Sequence, residues 1–413
     1  MKKSLWMLML TLTMFAGAAF LVGCGNTTEE NTIRMAGVGP LSGDAAIYGV
    51  SVKNGIQIAV DEINASEEGV QIEDKDGNAT KYTIDFFDFK NDEATPDKAA
   101  AAFNALYDKG LDFMIGAVTS GATEGLIGES IKQNVPTLTA TGTAAALTGT
   151  GDADARAERS NTFRACFIDP YQGQMMAKFA IEQGYENVAV LYNTESDYSV
   201  GLFEAFKAYG EANGLTSVDG KGYQNATSAF DSYFSEVNNS AYDALFVPDY
   251  YEKVVKIVTT ARAQGFTNAC LGCDGWDGVL GVDGVNNAGD DNTSVDFEGC
   301  YFSNHFAADS TSAKVQDFVA KYEAAYNEAP TVFAALAYDA VYIMKQAYED
   351  CDSLEYQDVI DAMSASDFVA DCVTGQISFD EYGNPKKDVF VMGFDVDEDT
   401  NTASLKFKET VSE

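Results

Sequence analysis

The sequence predicts an α/β protein built from two doubly wound parallel sheets, and three observations predict it. Short β-branched or aromatic runs alternate with longer helical stretches from residue 33 onward, an order that sets strands parallel with helices on both faces. The alternation continues past Phe163, beyond what one sheet of about six strands needs. The chain has 413 residues, enough for two or three domains at roughly 100–200 residues each. No internal repeat and no Pro- or Ser-rich linker separates the halves. Two lobes joined by short strand-like crossovers are therefore expected, with a ligand cleft outside the carboxyl ends of the strands.

At the N-terminus, Met1-Lys2-Lys3, an apolar stretch over residues 5–20 and Leu21-Val22-Gly23-Cys24 resemble the lipobox of a bacterial lipoprotein signal. The resemblance implies a signal peptide over 1–23, a diacylated Cys24 and a polar tether over 24–32. Nothing polybasic follows Cys24, so acyl chains alone would hold the protein on the extracytoplasmic side of the cell membrane. Strands are expected at 33–38, 82–89, 113–118, 137–141, 187–192, 244–248, 268–271 and 300–304. Val52, Ile56, Ala59, Val60 and Ile63 mark one amphipathic helix. Ala99, Ala102, Phe103 and Leu106 mark another, opened by Pro96.

Composition excludes several functions. Asp and Glu number 64 against 26 Lys and Arg, a net charge of −38, which opposes nucleic-acid or anionic-lipid surfaces. After residue 22 no apolar run reaches the roughly 18–20 residues of a bilayer span. His305 is the single histidine, which removes most triads and zinc sites; it reads as a satisfied surface or strand-end side chain. Gly37-Val38-Gly39-Pro40-Leu41-Ser42-Gly43 lacks the dinucleotide spacing, and Pro40 removes an N–H that a phosphate cradle needs. Asp395, Asp397 and Asp399 begin like a calcium loop, but Thr400 and Lys406 stand where Gly and Glu are required, so a solvated acidic turn is expected. Cys270-Leu271-Gly272-Cys273 follows a strand-like run, where residues three apart face opposite ways. Pairing among Cys166, Cys270, Cys273, Cys300, Cys351 and Cys372 is open. No cofactor or metal is expected.

Polar residues at the carboxyl ends of the expected strands stand out instead. Thr119-Ser120-Gly121-Ala122-Thr123 opens a helix and presents free N–H groups with a hydroxyl, a natural carboxylate site. Thr141-Gly142-Thr143 does the same; each alone is also ordinary N-capping. Asp249-Tyr250-Tyr251 and Asp274-Gly275-Trp276 supply acid and aromatic groups.

Four ordered segments resemble the type I periplasmic-binding-protein family of ABC importers, in particular its leucine/isoleucine/valine-binding group: residues 41–49, residues 118–123, Asp169-Pro170-Tyr171-Gln172-Gly173 and Gly272-Cys273-Asp274-Gly275-Trp276. The resemblance implies two Rossmann-like lobes joined by three crossover hinge segments, one over 33–165 and 305–375, the other over 166–304 and 376–413. It implies that Ser120 and Thr143 hold a ligand carboxylate with the Thr141 backbone, that Asp274 receives an ammonium beside Tyr250, and that Tyr48 and Tyr198 line the side-chain pocket. Thr119 stands where the group's enteric members have a disulfide cysteine, and Asp274 where they have Glu. The function implied is a monomeric, non-enzymatic receptor that hands an α-amino acid, branched-chain by preference, to an importer permease. A small amide or urea as ligand, presentation to a sensory receptor, and a hydrolase using Ser120 as nucleophile are the alternatives.

Overall fold

The computed structural model describes residues 31–236, 241–286, 293–397, 399–400 and 402–412; the expected signal, Cys24 and the tether up to residue 30 lie outside them. The first sheet is built from β1 (Thr32–Gly39), α1 (Ala46–Ala65), β2 (Val70–Glu73), β3 (Ala79–Asn91), α2 (Pro96–Tyr107), β4 (Phe113–Ile115), α3 (Ser120–Gln133), β5 (Thr137–Thr139), the short α4 (Ala153–Glu158) and β6 (Thr162–Arg164). Its strand order is β2-β3-β1-β4-β5-β6. The second is built from α5 (Asp169–Glu182), β7 (Asn187–Asn193), α6 (Asp197–Asn213), β8 (Ser217–Tyr223), α7 (Asp231–Glu236), β9 (Ala244–Phe246), α8 (Tyr251–Ala263), β10 (Ala269–Gly272) and β11 (Cys300–Asn304).

The chain then returns to the first sheet with α9 (Ala313–Tyr326), α10 (Val332–Glu349), α11 (Tyr356–Ser364) and a small hairpin, β12 (Ala370–Cys372) with β13 (Gly375–Ile377). Helix α10 lies along α1 and buries residues on every side, among them Val332, Leu336, Ile343 and Met344. Side chains of that size contribute about 1.5–3 kcal/mol each on full burial, so α10 is a central support of this lobe. Finally β14 (Val389–Asp397) and β15 (Thr402–Val411) complete the second sheet, in the order β15-β14-β11-β10-β9-β7-β8. The backbone thus passes between the sheets three times, near residues 165–168, 305–312 and 378–388.

The α/β class and the two sheets agree with expectation; purely parallel sheets do not. β2 is antiparallel to β3, and β14 and β15 are antiparallel to their neighbours. β2 and β15 are edge strands and β14 lies next to the edge; the β2–β3 and β14–β15 hairpins need no covering crossover helix. The strand expected over 113–118 ends at Ile115, and that over 137–141 ends at Thr139, because the next residues turn outward to form the cleft. Cys270 and Cys273 fall into different core clusters, as opposite-facing residues should, and the six described cysteines are unbonded. Asp397 accepts from the N–H groups of Asp399 and Thr400 at 2.9 and 3.1 Å, so the acidic triplet closes the β14–β15 connection. Among the described residues no helix is long and apolar enough to cross a membrane.

Candidate ligand site

Parallel strands present their carboxyl ends together, so the turns after β4 and β5 face those after β7, β9 and β10. Between them lies a narrow cavity of about 10 Å³, lined by Tyr48, Val118, Thr119, Ser120, Thr141, Thr143, Tyr198, Tyr250, Asp274, Gly275 and Phe333. Tyr48, Ser120, Thr141, Thr143, Tyr198, Tyr250 and Asp274, all named from sequence, meet there.

On the first-lobe side, Ser120 opens α3 and its Oγ accepts from the Ala144 N–H at 3.2 Å. Thr119 precedes the helix in extended conformation, yet its hydroxyl makes no capping bond and is buried without a partner. The simple N-capping explanation therefore fails here: the Ser120 N–H faces the Tyr250 hydroxyl instead, and the Thr123 N–H donates to the Thr119 carbonyl at 2.9 Å. Thr141 Oγ1 donates to the Val118 carbonyl at 2.8 Å, tying the two turns together. Arg164, wholly buried, holds the second turn from behind: it donates to the carbonyls of Gly142 and Ala144 at 2.9 and 3.0 Å and to Thr148 Oγ1 at 2.9 Å. Thr143 is anchored by its carbonyl, which accepts from the Asp169 N–H at 2.9 Å.

The second-lobe side is acidic and aromatic. Asp274 follows β10 in a short 3-10 turn, but its carboxylate does not cap that turn. Its Oδ1 accepts from the Tyr198 hydroxyl at 2.7 Å and the Gln172 amide at 3.1 Å, and its Oδ2 lies 3.6 Å from Nε2 of His305. Gly272 is required by the Trp276 indole, which occupies the space a Cβ would need; the indole N–H is in turn fixed to the Val247 carbonyl at 2.8 Å. That indole locks the turn carrying Asp274. Tyr198 and Tyr250 stack with centroids 4.8 Å apart, and Tyr48 stacks on Phe333 at 4.0 Å. The two halves also touch directly: the Tyr48 hydroxyl donates to the Gly275 carbonyl and accepts from the Tyr251 N–H at 3.1 Å, while the Tyr251 hydroxyl accepts from the Ile47 N–H at 3.2 Å.

Behind Asp274 stands a second acid. Asp169, buried at the start of α5, shares the Gln172 amide with Asp274, at 3.2 Å, and its Oδ2 has no partner. Burial pushes its carboxyl up to about 8, with the Thr143 hydroxyl opposing and the Asp274 charge adding to the rise. Asp169 is therefore mostly neutral at neutral pH, behind the wall that Asp274 forms. Sequence reasoning placed Asp169, Gln172, Tyr251 and Gly275 in motifs without roles of their own and missed Phe333. His305 departs from its expected place as a satisfied side chain: it does end a strand, but it is buried and both ring nitrogens lack partners.

Comparison with known proteins agrees with this fold. The family model described as periplasmic binding protein matches residues 32–401. A Leu/Ile/Val-binding protein, BraC3, of Rhizobium johnstonii is 26% identical over 376 residues, covering 91% of this chain and 93% of that protein. The branched-chain amino acid transporter substrate binding protein LivJ from Streptococcus pneumoniae, solved in complex with isoleucine, superposes with a TM-score of 0.75 at 26% identity, covering 92% of this chain and all of that one. A solute binding protein of an ABC transporter from R. palustris, in complex with benzoate, has the same TM-score at 20% identity over 93% of this chain and 98% of that one, a likeness of fold alone.

Proposed function

The chain belongs to the periplasmic binding protein family, and from that premise we propose that it captures an α-amino acid with an aliphatic, branched side chain between its lobes and delivers it to an ABC importer. One observation carries the reading: the cavity has chemically opposite ends. Hydroxyls and a helix start without a side-chain cap lie at one end, and the Asp274 carboxylate lies at the other. A zwitterion leaving water needs donors for its carboxylate and a counter-charge for its ammonium, since an unpaired buried ion costs several kcal/mol. The ends belong to different lobes, so a bound zwitterion bridges them and favours closure. Tyr48, Phe333, Tyr198 and Tyr250 then surround an apolar side chain.

The ligands of the relatives support the choice of class. LivJ was solved with isoleucine, whereas the benzoate seen in the R. palustris protein has no ammonium to offer Asp274. Capture is without chemical conversion: the described partner of Ser120 Oγ is a backbone N–H, and the lone histidine faces Asp274 rather than Ser120. The receptor acts as a monomer anchored through Cys24 on the extracytoplasmic side.

A thermal-shift screen with the common amino acids, benzoate, acetamide and urea tests this. A ligand at 100 times its dissociation constant adds about 2.7 kcal/mol of stability. Leucine, isoleucine or valine should give the largest rise. A rise with benzoate or an amide and none with any amino acid overturns the reading.

A further inference from the structure

His305 is the single histidine of 413 residues. It stands where the chain leaves β11 for the second crossover, its ring stacks on Phe167 of the first crossover at a centroid distance of 3.4 Å, and its Nε2 lies 3.6 Å from Asp274 Oδ2. It is fully buried, and neither ring nitrogen has a hydrogen-bond partner. A buried polar ring without a hydrogen bond of normal length costs about 1–3 kcal/mol, and the acid it faces, Asp274, stays at 3.6 Å, so a satisfied structural histidine does not describe it. It touches two hinge segments and the acid assigned to the ligand at once.

We propose that His305 positions Asp274 and exchanges a proton for the ligand's ammonium. In the open, wetted cleft, below about pH 6.5, a protonated His305 is the counter-ion of Asp274. On capture the imidazolium N–H bond breaks, its proton leaves to solvent, and the ammonium takes its place against the carboxylate. The charge count beside Asp274 is thereby the same with and without ligand, which a buried carboxylate requires. The inference rests on the amino-acid reading above.

The surroundings in the closed form fit the neutral ring. Burial drives the His305 pKa from 6.5 down to about 4; Asp274 favours the proton, and Lys387 of the third crossover opposes it. Among the other acids nearby, Asp277 is held by the Asn304 amide at 2.9 Å and Asp169 lies beyond Gln172. Closing depresses the histidine pKa, so the closed state is favoured above pH 6.5 and loses ground as pH falls towards 4. Between pH 7.5 and 5.0 these two values weaken binding roughly 30-fold.

A lone histidine makes the test direct, because the full-length protein gives one imidazole Cε1–H resonance. Its titration by NMR, with and without saturating leucine, should show an inflection at or above pH 6.5 in the empty protein and none above pH 5 in the bound one. Isothermal titration of leucine from pH 5.0 to 7.5 should give the pH dependence above relative to His305→Asn, which keeps a polar group but cannot titrate. Asp169 is present in both proteins, so its own proton uptake cancels in that comparison. If leucine, isoleucine and valine change neither the melting temperature nor the resonance, the amino-acid reading falls and this proposal falls with it. If they raise the melting temperature while the histidine titrates identically with and without them, or if His305→Asn shows the wild-type pH profile, only the proposal falls.

Discussion

Replacing Asp274 by Asn tests the amino-acid assignment at its narrowest point. Two donors, the Tyr198 hydroxyl and the Gln172 amide, converge on Oδ1 at 2.7 and 3.1 Å, and an Asn carbonyl in the same place still accepts both. The substitution therefore changes the other atom: Oδ2 becomes an NH2 group, a donor where a cation needs an acceptor. Fold and volume are kept, and the loss falls on the ligand's ammonium. Truncating one member of a buried charge pair costs about 2–5 kcal/mol, roughly 30- to 4,000-fold in affinity at about 1.4 kcal/mol per decade. Tyr250→Phe removes a neutral hydroxyl, worth about 0.5–1.5 kcal/mol net, and should weaken binding far less. Isothermal titration of both variants with the best ligand of the screen measures the contrast. An Asp274→Asn protein that binds within about threefold of wild type, with an unchanged melting temperature, refutes the ammonium role and reopens the uncharged amides.

Further outcomes are expected elsewhere. Arg164→Met orphans the buried carbonyls of Gly142 and Ala144, at about 1–3 kcal/mol each, so the urea midpoint of the ligand-free protein should fall and affinity should drop as the Thr141–Thr143 turn loosens; an unchanged midpoint contradicts this. Burial pushes the carboxyls of Asp92, Asp249 and Asp277 up to about 6, each from 3.8, and Asp169 behaves likewise. The folded state then binds more protons than the unfolded one between about pH 4 and 8, so stability falls as pH rises through that window; His305 acts oppositely, as do the lowered carboxyls of Asp74, Asp88 and Glu129 at its acid end. Thermal melts should show a higher midpoint at pH 5 than at pH 8, and the reverse order would show that these acids are not buried as described. Cys24→Ala should move the protein from the membrane to the soluble fraction on cell fractionation; a variant that stays with the membrane removes the lipid anchor.

The legible parts of the fold are those whose local pattern matches their final environment. β7, β9 and β11 are buried apolar runs, and they stand within two residues of where the β-branched and aromatic clusters put them. β8 is not legible, since Ser217–Tyr223 carries Gly220 and Gly222 at a sheet edge; Gly220 is there because the Phe203 ring would collide with a Cβ, a tertiary cause with no local trace. β14 shows mixed burial and pairs with β11, a partner distant in sequence. In the site, residues just after strands can be read because strand ends converge in any open α/β sheet. Gln172, Phe333 and His305 cannot: their roles come from helices and crossovers that reach the cleft only after the chain has passed between the sheets.

The bridge from Tyr48 to Gly275 and Tyr251 has a consequence for how such a receptor is tuned. A clasp made by the protein alone holds part of the closed form together whether or not solute is present. Solute supplies only the remainder, so the fraction of molecules shut at rest is set in part by contacts that solute does not make, and the tightness of capture scales with that fraction. Removing the Tyr251 hydroxyl, which accepts from the Ile47 N–H and does not line the cavity, would weaken the clasp and leave the groups that meet solute in place, making occupancy a sharper on–off signal to whatever reads the closed shape. Strengthening it would do the opposite, and a transporter would then meet empty carriers wearing the loaded form.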